Sequence, residues 1–475
     1  MQRIKRLVKH IISRINVNLK PMGLDIEQVL MESIPFDELT KYYAYYALSI
    51  DHPLYFRFRE SNLGGTYFLG KCDVDRSIVF LSDIRGDELK TKNTKVQFGE
   101  VKTELYQDEI IQVINSYLIR TLVHNHSRNP EIPEYFRILN TAAMYYSNIH
   151  GTTTEGVYLG AFATADLSVL HNCILGNYAY VQAGDLSRVC IDPGRIWIRQ
   201  EGKYEFDYRY SPVTIEKYVS WDQNGELTGV FAKFLKGRRS DFLPVYDSLT
   251  ASENQIHVPN HAFLSRYAVV KGDCIIGENC LVAQRAYIED SVMGAGANAQ
   301  ENSFIVNTEC ADLCVVAHGG KMIYTKLGEK VFIGFNCFLQ GTVDKKISIG
   351  AGSIIMPHTI IDAEEPVTVP EETLVWGYIA NQNDLKNQSM SMAEFAKEKR
   401  INLGNMSFTG DGAAFIKDFQ NRIDHILVEN GARYDGKSHS RGHAQKTQSV
   451  SYNLFQPYLA GEKEGLFPTI VVEDN

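Results

Sequence analysis

An apolar residue recurs at every sixth position through Val258, Leu264, Val270, Ile276, Val282 and Ile288. A helix repeats at about 3.6 residues and a strand at about 2, so neither produces this spacing. Four positions after each stands a small or slim residue: Ala262, Ala268, Cys274, Cys280, Ala286 and Val292. A face of six residues, one short strand plus one tight corner, explains both series, because three such faces close a triangular coil of about eighteen residues. The aliphatic residue fills the centre of the prism. The residue four later points inward beside a corner, where little volume is left.

The pattern returns as Leu327/Val331, Ile333/Cys337 and Leu339/Val343, and again as Ile349/Ser353 and Ile355/Thr359 after a surplus at Asp344 to Ile347 that predicts a loop. Between Gly294 and Thr325 the phase is ragged, with Gly294, Gly296, Gly319 and Gly320 supplying backbone freedom. A weaker copy runs through Val157/Ala161, Ala163/Leu167, Val169/Cys173 and Leu175/Ala179, and Leu69 to Ile84 offers a further coil.

Around the solenoid the sequence predicts a helical region at 1–60 and early irregular coils at 61–190, with a helical insertion at about 105–147 (Gln107 to Leu122 and Glu134 to Tyr146). An antiparallel β insertion is expected at 191–250, from the alternation of Tyr204 to Tyr210 and the hairpin signal Asn224-Gly225. The main β-helix follows at 251–385, then C-terminal helices at 386–435 and a flexible polar tail at 436–475. The fold class is thus mainly β, a parallel β-helix with helical additions at both ends.

The formal net charge of -9 provides no basic field for phosphate backbones, so nucleic acid is not expected as a partner. The 8 cysteines lack a disulfide framework and several occupy repeat positions, which favours a reducing, cytoplasmic location. No segment has the run of apolar residues that spans a bilayer, and no secretory signal is visible. The first helix carries Ile4, Leu7, Val8, Ile11, Ile12 and Ile15 on one side and Lys5, Arg6, Lys9 and Arg14 on the other. Docking on the protein itself is the expected use of that face, with weak peripheral membrane contact as the minor alternative.

These repeats resemble the left-handed parallel β-helix, hexapeptide-repeat transferase superfamily, and IGAGSIIMPHTIIDAEEPVTVPEETLVWGYI at 349–379 looks like the closing coils of its acyltransferase members. The large additions mark an atypical member. The resemblance implies a left-handed solenoid, a homotrimer with sites between neighbouring solenoids, a histidine base and a small-molecule substrate. It also implies an acyl-coenzyme A or carrier thioester as co-substrate, with no permanently bound cofactor and no metal. A non-catalytic scaffold or binding protein is the alternative from a different class, favoured by the size of the insertions. A γ-class carbonic anhydrase-like metalloprotein is the second, although the histidine pair five residues apart is missing, since Leu313 stands five before His318. Fused nucleotidyl transfer is disfavoured because residues 1–250 contain no glycine-rich phosphate loop.

Acyl transfer needs a base for the acceptor proton and donors for the oxyanion. His318, in VVAHGGKMI, is the expected base, with Glu301 as its partner. Gly319 and Gly320 are expected to offer open amides, and Lys321 to meet a phosphate or carboxylate. Gln300 and Asn302 complete the expected substrate-binding group, with Gln284 and Arg285 about one coil earlier. His261, His358 and His171 are secondary candidates, the first two expected to point outward near corners. The plain reading of each is a solvated corner residue.

Overall fold

The computed structural model describes residues 2–39, 41–49, 52, 55–98, 101–126, 135–247, 256–455 and 470–473. Parts of the expected helical insertion, β insertion and tail lie outside these residues. The chain divides into two compact units, one of residues 1–194, 212–233 and 450–475, the other of residues 195–211 and 234–449. Each contains a parallel β-helix.

In the second unit, short parallel strands stack in three sheets and align three interior columns. Val282, Ala299, Val316, Ile333 and Ile355 form one. Ile288, Ile305, Met322, Leu339 and Ile361 form the next, and Ile276, Met293, Cys310, Leu327 and Ile349 the third. All of these side chains are buried in one core. The apparent raggedness after Gly294 is regular structure with a shorter period, since equivalent residues there are 17 apart. One corner of each coil has lost a residue and turns through Asp290, Asn307 or Tyr324 in the left-handed region. Asparagine and aspartate tolerate that conformation better than most residues. The shift makes Met293 the interior residue and leaves Val292 exposed, correcting the expected inward position of Val292. Val343 is likewise exposed, on a loop in which residues 342–346 all face solvent.

The first unit winds with equivalent residues 16 apart over its regular part. Its interior columns include Phe68, Ile84, Val123, Ile149, Ala165 and Val181. Val79, Leu118, Ala143, Leu159, Leu175 and Ile191 form a second. The helical pair expected at about 105–147 is replaced by strands Ile111–Ile114, Tyr117–Ile119, Leu122–His126, Phe136–Leu139 and Ala142–Ala143. Their apolar residues matched a helical period by coincidence, because a 16-residue coil places several inward residues three or four apart across its corners. Among its described residues, the 1–60 region is helical at Gln2–Leu19, Lys20–Met22 and Ile26–Ser33, and it already enters the solenoid through strands Ala44–Leu48 and Tyr55–Arg59.

The apolar face of the Gln2–Leu19 helix is buried in the first unit against Ile78, Tyr117 and Ala142. Full burial of each large aliphatic side chain contributes about 1.5–3 kcal/mol, and the face that could have entered a lipid surface is occupied. Among the described residues, no helix is long and apolar enough to cross a membrane.

The insertion after Ile191 contains the expected antiparallel pair Arg195–Gln200 and Tyr204–Arg209, but also three helices, Pro212–Tyr218, Gly229–Lys236 and Arg239–Asp247. The Asn224-Gly225 turn does join a small hairpin, Ser220–Trp221 with Leu227–Thr228. The tail is more ordered than its polarity suggests. Ser451–Phe455 pairs antiparallel with Ala44–Leu48, and Ile470–Glu473 with Tyr55–Arg59, covering two strand edges of the first unit. In the second unit, His443, Ala444 and Gln445 are buried, and Gln445 Nε2 donates to the carbonyl of His261 at 2.9 Å.

Candidate active site

In the second unit, Val282, Ala299, Val316 and Ile333 point into the prism, so the residues two positions later fall together near one corner. That row is Gln284, Glu301, His318 and Phe335. Glu301 and His318 stand on consecutive coils, and His318 Nδ1 lies 2.9 Å from Glu301 Oε2. Only 2% of the His318 side chain is exposed and none of Glu301. Phe335 lies beside the imidazole, with ring centroids 5.3 Å apart. Burial raises the effective strength of this close carboxylate–imidazole contact.

The flanking glycines have a different role from the expected one. Gly319 N donates to the Glu301 carbonyl and Gly320 N to the Ala317 carbonyl, both at 2.9 Å. These amides are committed to coil stacking and turn closure, so they are not open oxyanion donors. Gly319 is required for its backbone: φ is +73°, and a Cβ there would collide with Asn336 Oδ1. Lys321 also departs from expectation. Its side chain is buried and Nζ donates to the Gly319 carbonyl at 2.5 Å, so it does not extend toward an incoming anion. Burial pulls its pKa down from 10.5 to about 7.

Gln284, Arg285 and Gln300 are buried and Asn302 is half-buried with φ +59°, a corner conformation. Of the secondary histidines, His261 is exposed and its ring packs at 4.9 Å from that of Tyr434. His358 is fully buried, which corrects its expected outward position; it occupies a left-handed corner, and its carbonyl accepts from Tyr210 Oη at 2.6 Å. His171, in the first unit, is about half exposed, 3.5 Å from Glu155.

The first unit contains a second polar constellation that the hexad reading missed. Arg85, His124, His150 and Asp166 are in register on successive strands of one sheet. His150 Nδ1 lies 2.8 Å from Asp166 Oδ1, and Tyr180 Oη donates to Asp166 Oδ2 at 2.5 Å. The rings of His124 and His150 meet edge to face at 5.1 Å. His124 Nε2 is 3.4 Å from Glu88 Oε1, and Arg85 is paired with the buried carboxylate of Asp87 at 2.6 Å. Burial, assisted by the Arg85 charge, lowers the pKa of His124 and favours its neutral form. The signal was present in the segments LVH, NIH, TAD and YVQ ending at His124, His150, Asp166 and Gln182, the last three of which repeat at the 16-residue period.

Residues 101–223 match the model of a family described as hexapeptide repeat including loop. Among solved structures, the chain is similar to a provisionally assigned acetyltransferase from Desulfovibrio desulfuricans G20. The two are 44% identical over 100% of this chain and 99% of that one, with a TM-score of 0.91. A provisionally assigned acetyltransferase from Bacillus cereus is 13% identical over 36% of this chain and 89% of its own, but its TM-score of 0.13 supports no comparison. No curated protein matches the chain.

Proposed function

Because this chain belongs to the left-handed β-helix, hexapeptide-repeat transferase superfamily, as an atypical member with large insertions, we propose that it is an acyltransferase with His318 as base. The observation that carries this reading is the buried contact of 2.9 Å between His318 Nδ1 and Glu301 Oε2. The co-substrate is an acyl-coenzyme A or carrier thioester, the acceptor a small or sugar-like hydroxyl or amine, and the working assembly a homotrimer.

In the proposed step, His318 Nε2 takes the acceptor proton as the acceptor oxygen or nitrogen bonds to the thioester carbonyl carbon. Collapse of the tetrahedral intermediate breaks the carbon–sulfur bond, and the departing thiolate recovers the proton from the imidazolium. Glu301, whose carboxylate stands beside Nδ1, stabilises the positive ring during the interval. Since His318 is 2% exposed, the groups covering it have to move aside when substrate binds.

Isothermal titration with acetyl-coenzyme A and coenzyme A, followed by an acceptor screen, tests the reading. Saturable binding is expected, and His318→Ala should lower kcat roughly 10²–10⁴-fold while leaving donor affinity nearly unchanged. Absence of donor binding would overturn the acetyl-coenzyme A version and bring the scaffold reading forward. Full activity in His318→Ala would remove the residue from the mechanism.

A further inference from the structure

In the second unit, Lys321 belongs to a row of side chains that point out of the prism. Its neighbour Met322 lines the interior, and successive residues of a strand face opposite ways. Phe304 and Phe338 are in register with Lys321 on the strands before and after it. The row is therefore an aromatic face with one amine set into it. Neighbouring strands are about 4.8 Å apart, so the two phenylalanines stand roughly 10 Å apart with Lys321 between them. The Phe234 ring lies edge to face against both, its centroid 5.4 Å from that of Phe304 and 5.8 Å from that of Phe338. A ring this close to both flanks sits over Lys321, which is buried.

Residues 234–247 hold this cover in place. Phe242 packs against Tyr287 and Phe304, with ring centroids 6.0 and 6.3 Å away. Asp241 accepts from Tyr287 Oη at 2.8 Å and from Lys271 Nζ at 3.1 Å. Arg238 stands 3.9 Å from Glu289, with its guanidinium over the Phe234 ring. Phe234, Arg238, Asp241 and Phe242 are each only half-buried, whereas the strand beneath them is bonded to a neighbour on either side. Segments with few buried contacts open before packed strands do, so this segment is the part that can lift locally.

We propose that residues 234–247 form a proton-operated latch: protonation of Lys321 lifts the segment from the aromatic row, hydrates the ammonium and releases the Gly319 carbonyl, to which Nζ donates at 2.5 Å in the closed form. Gly319 directly follows His318, so the latch acts on the corner that carries the proposed base, but it does not depend on the acyl-transfer reading. Burial holds the covered amine down at about 7. On the next coil the Cys337 thiol stays neutral, pushed by burial up to about 12. His318 lies on the same coil as Lys321, and the charges of Arg238, Asp241, Lys271 and Glu289, with the Tyr287 phenol, pair with one another. Once the segment lifts, the amine returns to its usual 10.5. The open form thus binds more protons than the closed one between about pH 7 and 10.5, so opening is favoured as pH falls through that window and levels off below it.

The test is hydrogen exchange of the full chain, read peptide by peptide in a mass spectrometer and corrected for the intrinsic pH dependence of amide exchange. Protection of residues 234–247 should fall about 25-fold from pH 8.5 to pH 6.5 and level off below. The segment should exchange faster than the interior strands at 281–288 at both pH values, which separates local lifting from global unfolding. In Lys321→Met the pH dependence should vanish. Phe234→Ala uncovers the amine without altering it and should likewise remove the pH dependence, and it decides if the methionine variant does not fold. The proposal is overturned if protection of 234–247 in the wild type does not change with pH, if the folded variants keep the wild-type change, or if 234–247 and 281–288 exchange at one common rate.

Discussion

Replacing Lys321 by methionine should stabilise the protein, and by an amount that depends on pH. Lys321 is buried, with a pKa lowered from 10.5 to about 7. The unfolded chain therefore binds more protons than the folded one between about pH 7 and 10.5, and folding stability rises with pH across that window. Below it both states are protonated, and the group costs the fold about 5 kcal/mol. The same linkage leaves a cost of about 4 kcal/mol at pH 7 and about 2 kcal/mol at pH 9. Methionine follows a similar path through the core without a charge, but loses the Nζ bond to the Gly319 carbonyl, worth about 1 kcal/mol. Lys321→Met should thus be more stable than wild type by about 3 kcal/mol at pH 7 and about 1 kcal/mol at pH 9. Urea denaturation of both proteins at the two pH values, followed by circular dichroism, measures this, and the double difference cancels every other titrating group. A gap that stays constant with pH, or a destabilised variant at pH 7, would refute the argument.

Three further outcomes follow from burial and backbone geometry. Ile305→Ala, in the middle of an interior column, should cost about 2–5 kcal/mol in chemical denaturation. Arg85→Met leaves the buried Asp87 carboxylate without its charged partner and should cost about 3–5 kcal/mol, with much of the loss recovered in the double variant Arg85→Met/Asp87→Leu. Gly319→Ala, at φ +73° and against Asn336, should cost about 1–3 kcal/mol and broaden or shift the His318 ring resonances in NMR spectra.

The interior of the second solenoid was legible in the sequence because each hexad declares its inward residue locally. Val282, Ile288, Ile333 and Leu339 are in the core where the period put them. The phase failed at Val292 because corners can lose a residue without opening the prism, so one short corner moved the inward position to Met293. It failed more widely in the first unit, where a 16-residue coil mimics helical spacing over Gln107 to Leu122.

Site residues depended on another kind of information. Glu301 and His318 could be named as a pair because their coil spacing was nearly that of the visible hexads, whereas the committed amides of Gly319 and Gly320 could not be foreseen from composition. His124, His150 and Asp166 were missed altogether. Sequence alone determined that the chain coils and which aliphatic residues line the prism, since burial against a repeating interior is decided within each turn. Only the tertiary structure decided which polar residues meet, because that depends on the accumulated length of every corner and loop between one coil and the next.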